Sequence, residues 1–150
     1  MIKVFGIGNI LLADDGIGVY IVENIKNEIL DLGKNIEVII GETDYLYCLN
    51  EIEKDDLVII VDSTYFNEKP GNVSCFKLQE CDKFISDNIS LHEENLFQIL
   101  RKEKPYIKGY LIGIEIEKVD YSLNLSEKLY NKLEYICKEV LDMIKKYYRK

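Results

Sequence analysis

Apolar positions recur along this chain with two spacings, and their order predicts an architecture. IKVFGIG (2–8) is a short apolar run broken by glycine, the pattern of a buried strand. Ile17, Ile21, Ile25 and Ile29 then repeat every four residues, which predicts an amphipathic helix. IEVIIG (36–41) predicts a second strand, and Asp44 to Asn50 a short helix. LVIIVD (57–62) is apolar up to its last residue, as expected of a central parallel strand covered on both faces. Pro70-Gly71 marks a turn, after which VSCFKL (73–78) alternates like a strand with one wet face. Ser90 followed by Glu93 reads as a capping box for a helix running to about Lys102. YIKGYLIGIEI (106–116) predicts a further strand, and Leu129, Leu133, Ile136, Val140 and Ile144 trace the apolar face of a long last helix.

Strands alternating with helices predict an α/β fold: a single-domain, three-layer sandwich over residues 1–150, with a twisted, mostly parallel sheet of about five strands and helices on both faces. The length of 150 residues suits one such domain, and no internal repeat interrupts it. In sheets of this kind ligands gather beyond the carboxyl ends of the strands, so chemistry is sought there.

Composition narrows the partners. The net charge of −8 repels a polyphosphate backbone, and no nucleic acid is expected. The basic run KKYYRK reads as a solvated helix end. No apolar run reaches the ~20 residues of a membrane helix, and MIKVFGIGN lacks the apolar core of a signal peptide. Cys48, Cys75, Cys81 and Cys137 form no CxxC pair, and four free thiols suit a reducing compartment. A soluble, cytoplasmic monomer is expected.

The candidate chemistry starts in FGIGNILLADDGIG (5–18). Gly6 and Gly8 begin a dinucleotide fingerprint, but Leu11 stands in place of its third glycine. Asp14 and Asp15 bring negative charge to a helix start that would otherwise attract phosphate, and no Gly-Lys-Ser/Thr follows. Carboxylates at a glycine turn suit a cation. Asp14 is expected to cap the helix that follows, leaving Asp15 to point into the crevice. Asp62 ends the most apolar strand, where a charge is costly unless paired or metal-bound. His92, the only histidine, falls at the first turn of a predicted helix, where the dipole favours the neutral, ligating ring. Asp15, Asp62 and His92 would converge on one rim as an open site, and imidazole among the ligands suits nickel, copper, zinc or iron. The competing route is a Cys–His hydrolase, for which Cys81 is the credible nucleophile; no GxSxG elbow offers a serine.

GIGNILLADDGIG, LVIIVD and SLHEENL, in that order, together with GYLIGIEIE and LSEKL, resemble the NiFe-hydrogenase maturation endopeptidases from residue 2 to the final helix. The resemblance implies a twisted sheet between helices. It also implies removal of a C-terminal peptide from the hydrogenase large-subunit precursor after nickel insertion. By the same resemblance Asp15, Asp62 and His92 are the catalytic and metal-meeting residues, and the nickel ion arrives with the precursor as a recognition handle, a Lewis acid or a source of hydroxide. A nickel-checking chaperone that does not cut, and a germination-type protease, are the alternatives. One departure stands out: relatives commonly carry Gly-Gly-Thr where this chain has Gly41-Glu42-Thr43, which places a side chain beside the expected peptide groove and bears on which hydrogenase is processed.

Overall fold

A computed structural model describes residues 1–86 and 95–150. Its elements follow the order β1 (Ile2–Ile7), α1 (Ile17–Leu30), β2 (Ile36–Glu42), α2 (Tyr45–Asn50), β3 (Leu57–Thr64), β4 (Val73–Lys77), α3 (Asp82–Ser86), α4 (Leu96–Glu103), β5 (Lys108–Glu115) and α5 (Glu127–Tyr148). The strands form one sheet in the order β2-β1-β3-β5-β4, parallel except for β4, which runs antiparallel to β5 at the edge. The expected α/β sandwich is therefore what the chain forms.

Alternation along the central strands divides the core. Val4, Ile59, Val61, Ile112 and Ile114 face α1 and α5, where Ile17, Ile21, Ile25, Ile29, Leu129, Ile136, Val140 and Ile144 close the layer. Phe5, Ile7, Val58, Ile60 and Leu111 face the other way, against Cys48, Ile52, Phe84, Leu96, Phe97 and Leu100. The four isoleucines of α1 are all buried, each worth about 1.5–3 kcal/mol of apolar burial. The fourfold spacing is thus the imprint of this packing.

Two expectations are corrected. Ser90 and Glu93 lie outside the described residues, and the helix that ends at Glu103 starts at Leu96. Asn95 is its N-cap, in extended backbone (φ −133°, ψ 177°), so the helix does not run through it from Ser90. Asn95 and Gln98 form the reciprocal capping box instead: Gln98 N donates to Asn95 Oδ1 at 3.1 Å and Asn95 N to Gln98 Oε1 at 3.0 Å. Nor does Asp14 cap α1. Gly16 holds that position without a side-chain bond, and Ala13–Gly16 form a 3₁₀ turn that precedes the helix.

At the amino end of the sheet Lys3 and Asp56 form a buried ion pair, Nζ to Oδ2 at 3.0 Å. Lys3 also donates to the Glu51 carbonyl, and Glu53 N donates to Asp56 Oδ2 at 2.8 Å. Burial opposes the charge on Asp56, but the bonds from Glu53 N–H and Lys3 outweigh it and hold the carboxyl below its ordinary range. Burial likewise opposes the charge on Lys3, and Asp56 outweighs it, raising the amine above its ordinary value. The carboxyl, with its folded value lowered, stabilises the fold above its unfolded value of about 3.9 and loses that contribution as pH falls through the folded one. The amine, raised, contributes below about 10.4 and loses its share as pH climbs further. Asp56→Ala, which strands the buried ammonium, is expected to cost about 3–5 kcal/mol at neutral pH by urea unfolding, a loss that shrinks below pH ~3. An unchanged midpoint at pH 7 would show that the pair carries no stability.

Candidate functional site

The strand order places a topological switch at β1 and β3. From β1 the chain runs outward to β2, then crosses back to β3 on the other side, so the connections leaving β1 and β3 part company and open a crevice. Pairing between β1 and β3 stops at Gly6↔Val61, whereas β3 stays paired with β5 as far as Thr64↔Glu115. Asp62 is the first residue of β3 past its β1 partner. Strand β3 thus extends two residues beyond the expected end, and Asp62 sits within its last turn of pairing, not at its tip.

Asp15 reaches the same crevice from the 3₁₀ turn. Gly8 (φ 140°) makes this possible, because a Cβ there would stand 2.1 Å from the Asp15 carbonyl oxygen. Gly18 does the same for the helix behind: a Cβ would meet the carbonyl oxygens of Val61 and Ile7 at 2.2 and 2.4 Å, so α1 lies directly against the ends of β1 and β3. Asp15 is fully buried and Asp62 is 3% exposed. Asn9 N donates to Asp15 Oδ2 at 3.0 Å. Ser63 links the two acids, its hydroxyl donating to Asp15 Oδ1 at 3.2 Å and its N–H to Asp62 Oδ1 at 2.7 Å. A cavity of about 20 Å³, lined by Asp62, Ser63, Thr64, Phe66, Phe97 and others, adjoins them, with room for one water.

His92 lies outside the described residues, so two of the three expected ligands are placed and they come together. Among the described residues no group of three or more His, Cys, Asp or Glu side chains is arranged to hold a metal. Two carboxylates linked by one serine suit a cation that brings most of its own ligands.

Asp14 has a different task. Its Oδ2 accepts from Glu117 N at 3.1 Å and Lys118 N at 2.9 Å, and its Oδ1 from Ser126 N at 2.7 Å. It pins the loop after β5, and the cap of α5, to the turn that carries Asp15. The same loop returns bonds to the turn, from Ser122 N to Leu11 O at 3.0 Å and from Ala13 N to Ser122 O at 2.8 Å. On the far side of Asp62, Glu115 accepts Phe66 N at 2.7 and 3.0 Å and braces the chain leaving β3; burial pushes its carboxyl above the usual range.

Burial disfavours the thiolate form at all four cysteines, half-buried Cys75 included. Cys81 is fully buried, its thiol pushed up to about 12 by burial and then by Asp82 and Glu80. Burial, chiefly, raises Cys48 to about 12 and Cys137 to about 11. A thiolate is the attacking form, and all three are held far from it.

Glu42 ends β2 in the left-handed backbone region (φ 51°), with its side chain exposed and its carbonyl accepting Gly8 N at 3.0 Å. Such a conformation costs a non-glycine residue about 1–2 kcal/mol, a cost that glycine does not carry. Sequence reasoning passed over two residues here, Ser63 and Tyr45. Ser63 is signalled only by following Asp62; Tyr45 has no local signal.

A family model described as hydrogenase maturation protease matches residues 19–143. The chain belongs to the hydrogenase maturation protease family. The hydrogenase 2 maturation protease of Escherichia coli is 29% identical over 146 residues, covering 93% of this chain and 88% of that protein. The hydrogenase expression/formation protein HupD of Rhizobium leguminosarum bv. viciae is 33% identical over 100 residues, 66% of this chain and 49% of the relative. The chain spans about half the length of the HupD relatives it matches, from 45% to 52%. Among solved structures, the hydrogenase maturating endopeptidase HybD of E. coli superposes with a TM-score of 0.79 at 25% identity, covering 97% of this chain and 93% of that one. The family model runs from Val19 in α1 to Met143 in α5, so β1 and the turn bearing Asp15 precede it, while the superposition on HybD takes in 97% of the chain. Among the described residues no helix is long and apolar enough to cross a membrane.

Proposed function

We propose that this chain is a nickel-dependent endopeptidase that removes the C-terminal extension of a NiFe-hydrogenase large-subunit precursor once nickel has been inserted. The observation that carries the reading is the pair Asp15 and Asp62, delivered to one crevice by the turn after β1 and by β3 and joined through Ser63, in a chain of the hydrogenase maturation protease family. His92 is proposed as the third member of the site. The nickel belongs to the substrate. The two carboxylates draw that cationic centre into the crevice, and the metal's own chemistry there is that of a Lewis acid or a source of hydroxide. Hydrolysis adds water across the scissile bond: its oxygen joins the carbonyl carbon, the C–N bond breaks, and the released amine leaves with a proton. Holding the bond and the water in register is what this chain's acids contribute. Four free cysteines, three of them buried, support a cytoplasmic setting, and the charge of −8 supports a monomer that does not self-associate.

Because the protein offers few ligands of its own, the metal on the substrate is expected to gate cleavage. Matched nickel-loaded and nickel-free precursors, incubated with the protein and weighed by mass spectrometry, test this. The loaded precursor should lose its C-terminal peptide and the nickel-free one should stay whole, with added zinc failing to replace nickel. Equal cleavage of both would remove the nickel dependence. Tight binding of the loaded precursor without mass loss would identify a chaperone in place of a protease.

A further inference from the structure

Tyr45 opens α2 immediately beyond the carboxyl end of β2, on the face of the sheet towards which Asp62 points. Asp44 caps the helix, its Oδ1 accepting Tyr47 N at 3.2 Å, so the start of α2 is fixed. The ring is half-buried against the apolar cluster of Phe5, Ile7 and Ile60. Its hydroxyl oxygen is sealed from solvent and, among the described residues, is the one buried side-chain oxygen or nitrogen with no hydrogen-bond partner. A buried hydroxyl left unmet is costly, and phenylalanine would fill the same space without that cost. The hydroxyl is also within the electrostatic reach of both acids: burial first, then the negative charges of Asp62 and Asp15, raise it well above the ordinary tyrosine value. It is therefore a donor near both acids with nothing in the protein to give to, and an acceptor reaches it only when docking parts the side chains that cover it.

We propose that the Tyr45 hydroxyl is a hydrogen-bond donor reserved for an oxygen of the docked precursor, the scissile carbonyl oxygen as it gains negative charge. No proton is transferred; the O–H turns towards the oxygen and stabilises charge that exists only while the bond is being broken. This rests on the proteolytic reading above. A donor of this kind acts on the transition state, so its removal lowers kcat and leaves KM nearly unchanged.

The test is Tyr45→Phe beside the unaltered protein, with nickel-loaded precursor as substrate and Tyr47→Phe, a half-exposed neighbour on the same helix, as the control. The expected result for Tyr45→Phe is a kcat reduced about a hundredfold, a KM within about twofold and a thermal midpoint equal or higher. Tyr47→Phe should match the unaltered protein. A wild-type kcat in Tyr45→Phe overturns the assignment, as does a rise in KM alone, or a drop in midpoint that accounts for the lost activity. If the unaltered protein leaves the precursor whole, the proteolytic reading has failed, and the role for Tyr45 falls with it.

Discussion

Asp15→Asn and Asp62→Asn are each expected to slow processing of a nickel-loaded precursor by about a thousandfold or more while leaving the thermal midpoint within a few degrees of the parent. The amide keeps one carbonyl oxygen for the N–H of Asn9 or Ser63, and at residue 15 its NH₂ meets the Ser63 hydroxyl, which turns from donor to acceptor. What it loses is the negative charge that would seat a cationic centre. Asparagine is a better test than alanine here, because alanine would also strand those buried N–H groups and confuse loss of fold with loss of function. His92→Ala belongs to the same experiment as the third member of the proposed site. Precursor mass and the melting curve are read on the same preparations. Normal processing by both asparagine variants would remove the pair from the chemistry.

Asp14→Ala is expected to do the opposite, damaging the fold first. Its carboxylate accepts three backbone N–H groups, from Glu117, Lys118 and Ser126, and is fully buried. Removal leaves three donors without their acceptor, for a combined loss of about 3–5 kcal/mol and a fall in thermal midpoint on the order of 10 °C. Asp14→Asn, which keeps one acceptor oxygen, should fall between alanine and the parent. Urea unfolding gives the free energies directly. A midpoint within about 2 °C of the parent for Asp14→Ala would mean that water replaces the carboxylate at no cost, and that the loop is not held by it.

The two adjacent aspartates also show where reading a sequence succeeds and where it stops. The helices α1 and α5 were legible because burial on one face imposes a period near 3.6, and β1 and β3 because cover on both faces leaves a nearly unbroken apolar run. Asp62 was legible too, as a charge closing an apolar strand. The role of Asp14 was not, because its partners lie more than 100 residues further along, and no local pattern marks a contact that far away. A helix cap is the local explanation of an aspartate before an isoleucine stripe; here a distant loop outcompeted it. The helix after residue 94 was misplaced for a similar reason: Ser90-x-x-Glu93 and Asn95-x-x-Gln98 both satisfy the capping rule, and only the extended backbone at Asn95 separates them. Tyr45 was invisible because its significance is a missing partner, which exists only in three dimensions.

The bonds of Asp14 impose an order on biosynthesis. The Asp14–Ser126 contact closes 112 residues of chain, and the bonds from Glu117 and Lys118 close 103 and 104. Contacts of such separation form late, after the intervening strands have paired. While the polypeptide leaves the ribosome, the turn bearing Asp15 emerges more than 100 residues ahead of its anchor and lacks it until the start of α5 is free to dock. The crevice thus reaches this geometry only after the start of α5 has been made, so a chain interrupted before residue 126 carries both acids without that anchor.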